Sequence, residues 1–93
     1  MTPALLSMHY VYLLKSNKDG KLYIGQTHDL KKRFKEHQDG LVRSTKYRRP
    51  WKLIYYESYL HFEDAMVREK KLKEFKSAYR ELKKRLASSL STN

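Results

Sequence analysis

Glu69 stands where a carboxylate is out of pattern. The apolar positions around it are Phe62, Ala65, Met66 and Leu72, with Phe75 close by. Glu69 follows Phe62 by seven residues, which on an α-helix turns it only about 20° from that stripe. Burying a carboxylate unpaired is costly, so it needs a cation. A metal ion meets that need, and so does a structural salt bridge to Arg33 or Lys73. Arg33 and His37 are four residues apart and project from one helix face. The pair suits a phosphate, because guanidinium offers a fixed fork of donors and imidazole can pass a proton near neutral pH. A solvated basic face has the same composition. Tyr12 lies on a strand whose Tyr10, Tyr12 and Leu14 share one face, with Val11 and Leu13 on the other. On the next strand Tyr23 shares a face with Gly25, a residue that permits close approach of a backbone or ligand. Beside the Arg33/His37 helix these tyrosines could frame a site; aromatic cross-strand packing is the alternative.

Other chemistries lack their residues. The chain has no cysteine, so it can build neither a disulfide framework nor a thiolate zinc site, which fits a reducing cytoplasm. It has no H-E-x-x-H motif, no paired histidines at metal-ligand spacing and no phosphate-cradling glycine loop. No apolar run approaches the roughly 20 residues of a membrane span. Lys and Arg number 21 against 10 Asp and Glu, a net charge of +11. A small domain so charged calls for a polyanionic partner. Nucleic acid is the first candidate, and an anionic membrane surface or acidic ribosomal neighbours also fit. Eight tyrosines against three phenylalanines add phenols that can stack on bases or donate to phosphates.

Positioning these groups requires one small domain, and 93 residues suffice for one core. Residues 1–7 read as a disordered leader, 8–87 as the domain, and 88–93 as a frayed tail. His9 to Lys15 and Lys21 to Gln26 predict a hairpin around the Asp19-Gly20 turn. Thr27 or Asp29 offers an N-cap for a helix from Leu30 to before Gly40. Leu41 to Pro50 is a basic loop, and Trp51 to Ser58 a third strand. A second helix runs from Phe62 to Phe75, and Ser77 can cap a third through Leu86. The expectation is an α+β fold: a small three-stranded antiparallel sheet flanked by three helices in the order ββαβαα.

Taken together, these residues resemble the GIY-YIG nuclease superfamily, in its small stand-alone bacterial members. Tyr10-Val11-Tyr12 matches the first motif and Tyr23-Ile24-Gly25 the second. Arg33 and His37 match the R-x-x-x-H helix, and Arg68-Glu69-Lys70 the helix with the metal-binding glutamate. The loop Ser44 to Pro50 and the strand after it also resemble those members. The first motif reads Tyr-Val-Tyr here, Gln26 stands where larger members often carry lysine, and Lys73 is a possible substitute for an asparagine after the glutamate helix.

The resemblance implies a metal-dependent endonuclease acting on nucleic acid, DNA rather than RNA, with low sequence specificity. A non-catalytic nucleic-acid-binding module of the same fold is the alternative. The implied catalytic residues are Tyr12, Tyr23, Arg33, His37 and Glu69, with Glu69 holding a single Mg²⁺ or Mn²⁺. Arg33 would hold the nonbridging oxygens, Tyr12 would accept the proton of the attacking water with help from His37, and Tyr23 would orient water or phosphate. Lys31, Lys46, Tyr47, Arg48, Arg49 and Lys73 are the expected backbone grip. A monomeric, cytoplasmic protein without a membrane partner is expected.

Overall fold

A computed structural model describes residues 7–91 of the chain. Strand β1 (His9–Ser16) pairs antiparallel with β2 (Leu22–Thr27) and β3 (Trp51–Tyr59), giving the strand order β2-β1-β3. Helix α1 (Leu30–Gln38) follows the hairpin, and α2 (Phe62–Glu74), α3 (Lys76–Arg85) and a short α4 (Ala87–Ser91) follow β3. The order is the expected ββαβαα, with two short additions: a 3₁₀ turn at Lys46–Arg48 and α4. Of the expected leader, residues 1–6 lie outside the described residues. Of the expected tail, residues 88–91 are helical, with the Leu90 carbonyl accepting from the Lys15 ammonium at 2.5 Å, and residues 92–93 lie outside the described residues.

The alternation of β1 divides the interior into two cores. Val11 and Leu13 pack with Ala65, Leu72 and Leu82 of α2 and α3. Tyr12 and Leu14 pack with Trp51, flanked by Tyr23, Leu53 and the α1 residues Leu30 and Phe34. The sheet therefore carries α2 and α3 on one face and α1 on the other. A register shift in the β1–β3 pairing falls between Leu13 and Leu14. There Leu53 joins the Trp51 core while Ile54 and Tyr55 both pack in the other, as an extra residue in one strand allows.

The helix ends explain the local geometry. The Asp29 carboxylate accepts from the Lys32 amide at 3.1 Å, capping α1. Gly40, at φ +77°, turns the chain out of α1, a conformation that side chains with a Cβ adopt rarely. Gln38 at the last turn of α1 exchanges two bonds with the backbone of Trp51, at 2.8 and 2.7 Å, locking the helix to the start of β3.

Two expectations about the later helices fail. Ser77 does not cap α3; Phe75 stands at the cap position without a side-chain bond, and Ser77 lies inside the helix. Within the α2 stripe only Ala65 and Leu72 are buried, whereas Phe62, Met66 and Phe75 are about half exposed. A three-stranded sheet is too narrow to cover a wide helix face. One edge of α2 is instead fixed by polar contacts: the Arg68 guanidinium donates to both oxygens of Glu57 on β3, at 2.9 to 3.1 Å. Glu57 also accepts from the hydroxyls of Tyr55 and Tyr59, at 2.6 and 2.5 Å.

Candidate active site

Tyr12 sits in the central strand and is 2% exposed. Its hydroxyl lies 2.8 Å from Nε2 of His37, a fully buried residue of α1. The other ring nitrogen of His37 lies 2.8 Å from the hydroxyl of Thr45, which is also fully buried. Thr45 in turn bonds the Val42 carbonyl at 3.4 Å, and its own carbonyl accepts from the Trp51 indole at 3.1 Å. A neutral imidazole has one donor nitrogen and one acceptor. A phenol proton donated to Nε2 places the ring proton on Nδ1, facing Thr45.

Gly25 makes room for this arrangement. It is the register partner of Tyr12 on β2. A Cβ there would stand 2.3 Å from both the ring carbon Cζ and the hydroxyl oxygen of Tyr12. The phenol lies across the bare glycine backbone, as the close approach read from Gly25 implied.

The surrounding groups set the proton affinities. Burial pushes the Tyr12 phenol up to about 12, helped by Tyr23 and Glu69 and opposed by hydrogen bonding and charge from Arg33. Burial and the Arg33 charge push His37 down to about 4, against a smaller pull from Glu36. At neutral pH the pair is thus a protonated phenol on a neutral imidazole. Burial acts against the charge of Arg33, but the Glu36 carboxylate bonded to it and the Tyr12 oxygen nearby outweigh this and raise its pKa. Its guanidinium meets Glu36 at 3.1 Å and is about a third exposed.

Glu69 belongs to α2, in the layer on the other side of the sheet. β2 is an edge strand, and α2 packs along it on the far side. The Glu69 carboxylate, 23% exposed, pairs with the Lys73 ammonium at 3.2 Å. Lys73 lies 5.9 Å from the Tyr23 ring centre, and Tyr23 lies 6.4 Å from the ring of Tyr12 and 5.2 Å from that of His37. Tyr12, Tyr23, Arg33 and His37 therefore form one group, and Glu69 adjoins it through Lys73 and acts on the Tyr12 phenol through its charge. Of the two cations the sequence offered Glu69 for a salt bridge, Lys73 is the one it pairs with.

The match to a family model settles the kinship. Residues 8–86 match the GIY-YIG catalytic domain. The chain belongs to the GIY-YIG family. Small GIY-YIG proteins of bacteria are similar to it along most of its length. The UPF0213 protein SSP2268 of Staphylococcus saprophyticus is 39% identical over 71 residues, covering 75% of this chain and 85% of the relative. The UPF0213 protein YazA of Bacillus subtilis is 41% identical over 75 residues, covering 80% and 75%. The solution structure of the UPF0213 protein BH0048 from Bacillus halodurans superposes with a TM-score of 0.54 at 31% identity, covering 92% of this chain and 99% of that one. The family is a nuclease superfamily, so this domain is a nuclease-type domain with nucleic acid as its class of substrate.

Around this GIY-YIG site the basic residues differ in how free they are. Lys31 is exposed on α1. Tyr47 is 74% exposed, with Lys46 lying over its ring at 4.9 Å. Arg49 is exposed, and its Nε donates to the Lys46 carbonyl at 2.7 Å. Arg48 is committed elsewhere, to Asp19 at 3.1 Å and to the face of Trp51 at 4.8 Å. Lys73 is engaged by Glu69. Thr45 had no role in the sequence reading beyond its place in the loop. Its partner His37 lies eight residues away across an irregular turn, a separation without helical or strand periodicity to flag it.

Proposed function

We propose that this protein is a metal-dependent endonuclease that hydrolyses phosphodiester bonds in nucleic acid, DNA rather than RNA, with low sequence specificity. The observation that carries the reading is the buried Tyr12–His37–Thr45 hydrogen-bond chain beside Arg33 and Glu69.

The donor set suits one hard cation. Among the described residues there is no cluster of three or more side chains able to hold a metal. An ion on Glu69 would therefore complete its shell with water and phosphate oxygen, as Mg²⁺ and Mn²⁺ accept. When bound, it supplies Lewis-acid stabilisation of the leaving oxygen.

The chain's own residues account for the remaining work. Arg33 holds the nonbridging phosphate oxygens as charge grows on them. The water oxygen bonds to phosphorus while the phosphorus–oxygen bond to the leaving group breaks. The water proton passes to the Tyr12 oxygen as the phenol proton passes to Nε2 of His37. The imidazolium so formed keeps its Nδ1 proton on Thr45. A phenol pushed up to about 12 does not ionise beforehand, so its proton leaves only in concert with the incoming one. The leaving oxygen takes its proton from solvent. Tyr23, at the rim, orients the water or the phosphate by hydrogen bonding. Lys31, Lys46, Tyr47 and Arg49 grip the backbone, and Lys73 joins them when it releases Glu69.

Incubation with labelled single- and double-stranded DNA in Mg²⁺, Mn²⁺ or EDTA tests the reading. Cleavage is expected with metal only, and it is expected to vanish in Glu69→Ala and in Arg33→Ala. Cleavage that survives EDTA, or that both variants retain, would refute it.

Two observations favour a second reading, a binding module of the same fold that does not cut. Lys73 already neutralises Glu69, and Tyr12 is 2% exposed. Binding without cleavage under every metal condition would select that reading.

A further inference from the structure

A groove of about 570 Å³ opens between α1 and the sheet. Its walls include Tyr10 and Tyr56 from the sheet and Leu30, Lys31 and Phe34 from α1. The volume falls within the range of small-molecule sites. The walls are aromatic and aliphatic, and Tyr56 is 53% exposed. The rings of Tyr10 and Tyr56 meet edge to face at 5.8 Å.

The groove lies beside the candidate active site, across α1 from it. Tyr10 and Tyr12 project from the same face of β1, and Tyr56 is the register partner of Tyr12 on β3. Helix α1 divides the two regions: Phe34 and Lys31 line the groove, while Arg33 and His37 turn toward the tyrosine hydroxyl. The loop at His28 and Asp29 also lines both this groove and the hollow beside Lys32 and Arg33. A polynucleotide held at Arg33 can therefore run directly over the groove.

We propose that this groove is a binding site for an unpaired nucleobase adjacent to the scissile phosphate. The inference rests on the nuclease reading for the position of that phosphate. Aromatic rings and aliphatic walls fit the π-face of a base, and stacking of this kind tolerates any base. Lys31 at the rim matches the phosphate joined to it, and the net charge of +11 suits the strand as a whole. A base stacked in a duplex presents no free face and must first be unstacked at a cost. The groove thus selects a single-stranded segment over an intact duplex.

Titration of a short single-stranded DNA carrying a fluorescent purine analogue, in EDTA, isolates binding from cleavage. Wild-type protein should bind it more tightly than the blunt duplex of the same sequence. Tyr56→Ala should weaken single-strand binding about tenfold, the scale of one lost base–aromatic stack, and leave duplex binding unchanged. Tyr56→Phe should retain the affinity, because stacking needs the ring and not the hydroxyl. Tyr56 is half exposed, so neither substitution opens the core; circular dichroism of both variants checks this. Equal losses on single strand and duplex, or no loss on either, would overturn the proposal. Failure of the nuclease reading looks different: no metal supports cleavage, whatever Tyr56→Ala does to binding.

Discussion

Replacing Gly25 by alanine tests whether the phenol of Tyr12 is held where the relay requires it. Gly25 does not have a positive φ, so its backbone accepts a side chain. In a strand interior, alanine is otherwise better than glycine by roughly 0.5–1 kcal/mol. The clash reverses this sign. A Cβ 2.3 Å from the Tyr12 ring and hydroxyl cannot be accommodated without moving a phenol that is 2% exposed. Overpacking of this kind costs about 1–3 kcal/mol. A displaced phenol also leaves the buried His37 Nε2 without its partner, at about 1–3 kcal/mol more. The two terms together cost about 2–6 kcal/mol, or about 1–5 kcal/mol once the alanine advantage is subtracted. For a domain of this size each kcal/mol lowers Tm by about 4–8 °C, so a loss of at least roughly 4 °C is expected. Thermal and urea unfolding of Gly25→Ala, Tyr12→Ala and the double variant close a cycle. In the Tyr12→Ala background the clash is gone, and the alanine should be neutral or stabilising. A substitution that stabilises the wild type, or costs the same in both backgrounds, would refute the contact as the reason for the glycine.

Acidification should weaken the fold through His37. Its folded pKa of about 4 lies below the unfolded value near 6.5, so the unfolded chain takes up the proton first. Stability is full above pH ~6.5 and falls as pH drops toward ~4, by roughly 3 kcal/mol in all; urea midpoints between pH 7 and 4.5 check this, and a flat profile contradicts it. Burial opposes the charge of Glu57, but Arg68, Tyr55 and Tyr59 hold its carboxyl below the usual range, so its stabilisation is present at neutral pH and is lost only as pH falls below the ordinary carboxyl range. Glu57→Ala should cost about 3 kcal/mol or more, because it strands the Arg68 charge and two phenols; denaturation that matches wild type would show the network to be idle. Arg48→Ala should lower Tm, through the lost Asp19 pair and Trp51 stack, with little effect on the salt dependence of DNA binding. Arg49→Ala should instead reduce the slope of log affinity against log salt by about one contact, and the same salt titration of both variants separates the two roles.

The sheet was legible because β1 alternates so regularly that one residue's face fixes every other. Asp29, Gly20 and Gly40 marked helix and turn ends by their chemistry alone. Glu69 and Lys73 were visible as an i,i+4 pair, and Arg33 with His37 as another. Periodicity failed at α2, where Phe62, Met66 and Phe75 fit the stripe but reach past the narrow sheet into solvent. It failed again in β3, where the register shift puts neighbouring Ile54 and Tyr55 in the same core. The Thr45 bond to His37 and the Arg48 stack on Trp51 depend on the path of an irregular loop, which no repeat in the sequence encodes. The Tyr55-x-Glu57-x-Tyr59 spacing on β3 did carry a signal, since three alternating polar side chains on one strand face call for a partner such as Arg68.

The two interior clusters separate the parts of the candidate site. The hydrogen-bonded Tyr12–His37 pair is anchored in the cluster around Trp51, whereas Glu69 lies on the helix that builds the one around Leu72. On the proposed reading, a substitution at Glu69 itself, which lies outside both buried clusters, would remove the metal ligand and leave the Tyr12–His37 pair in its place.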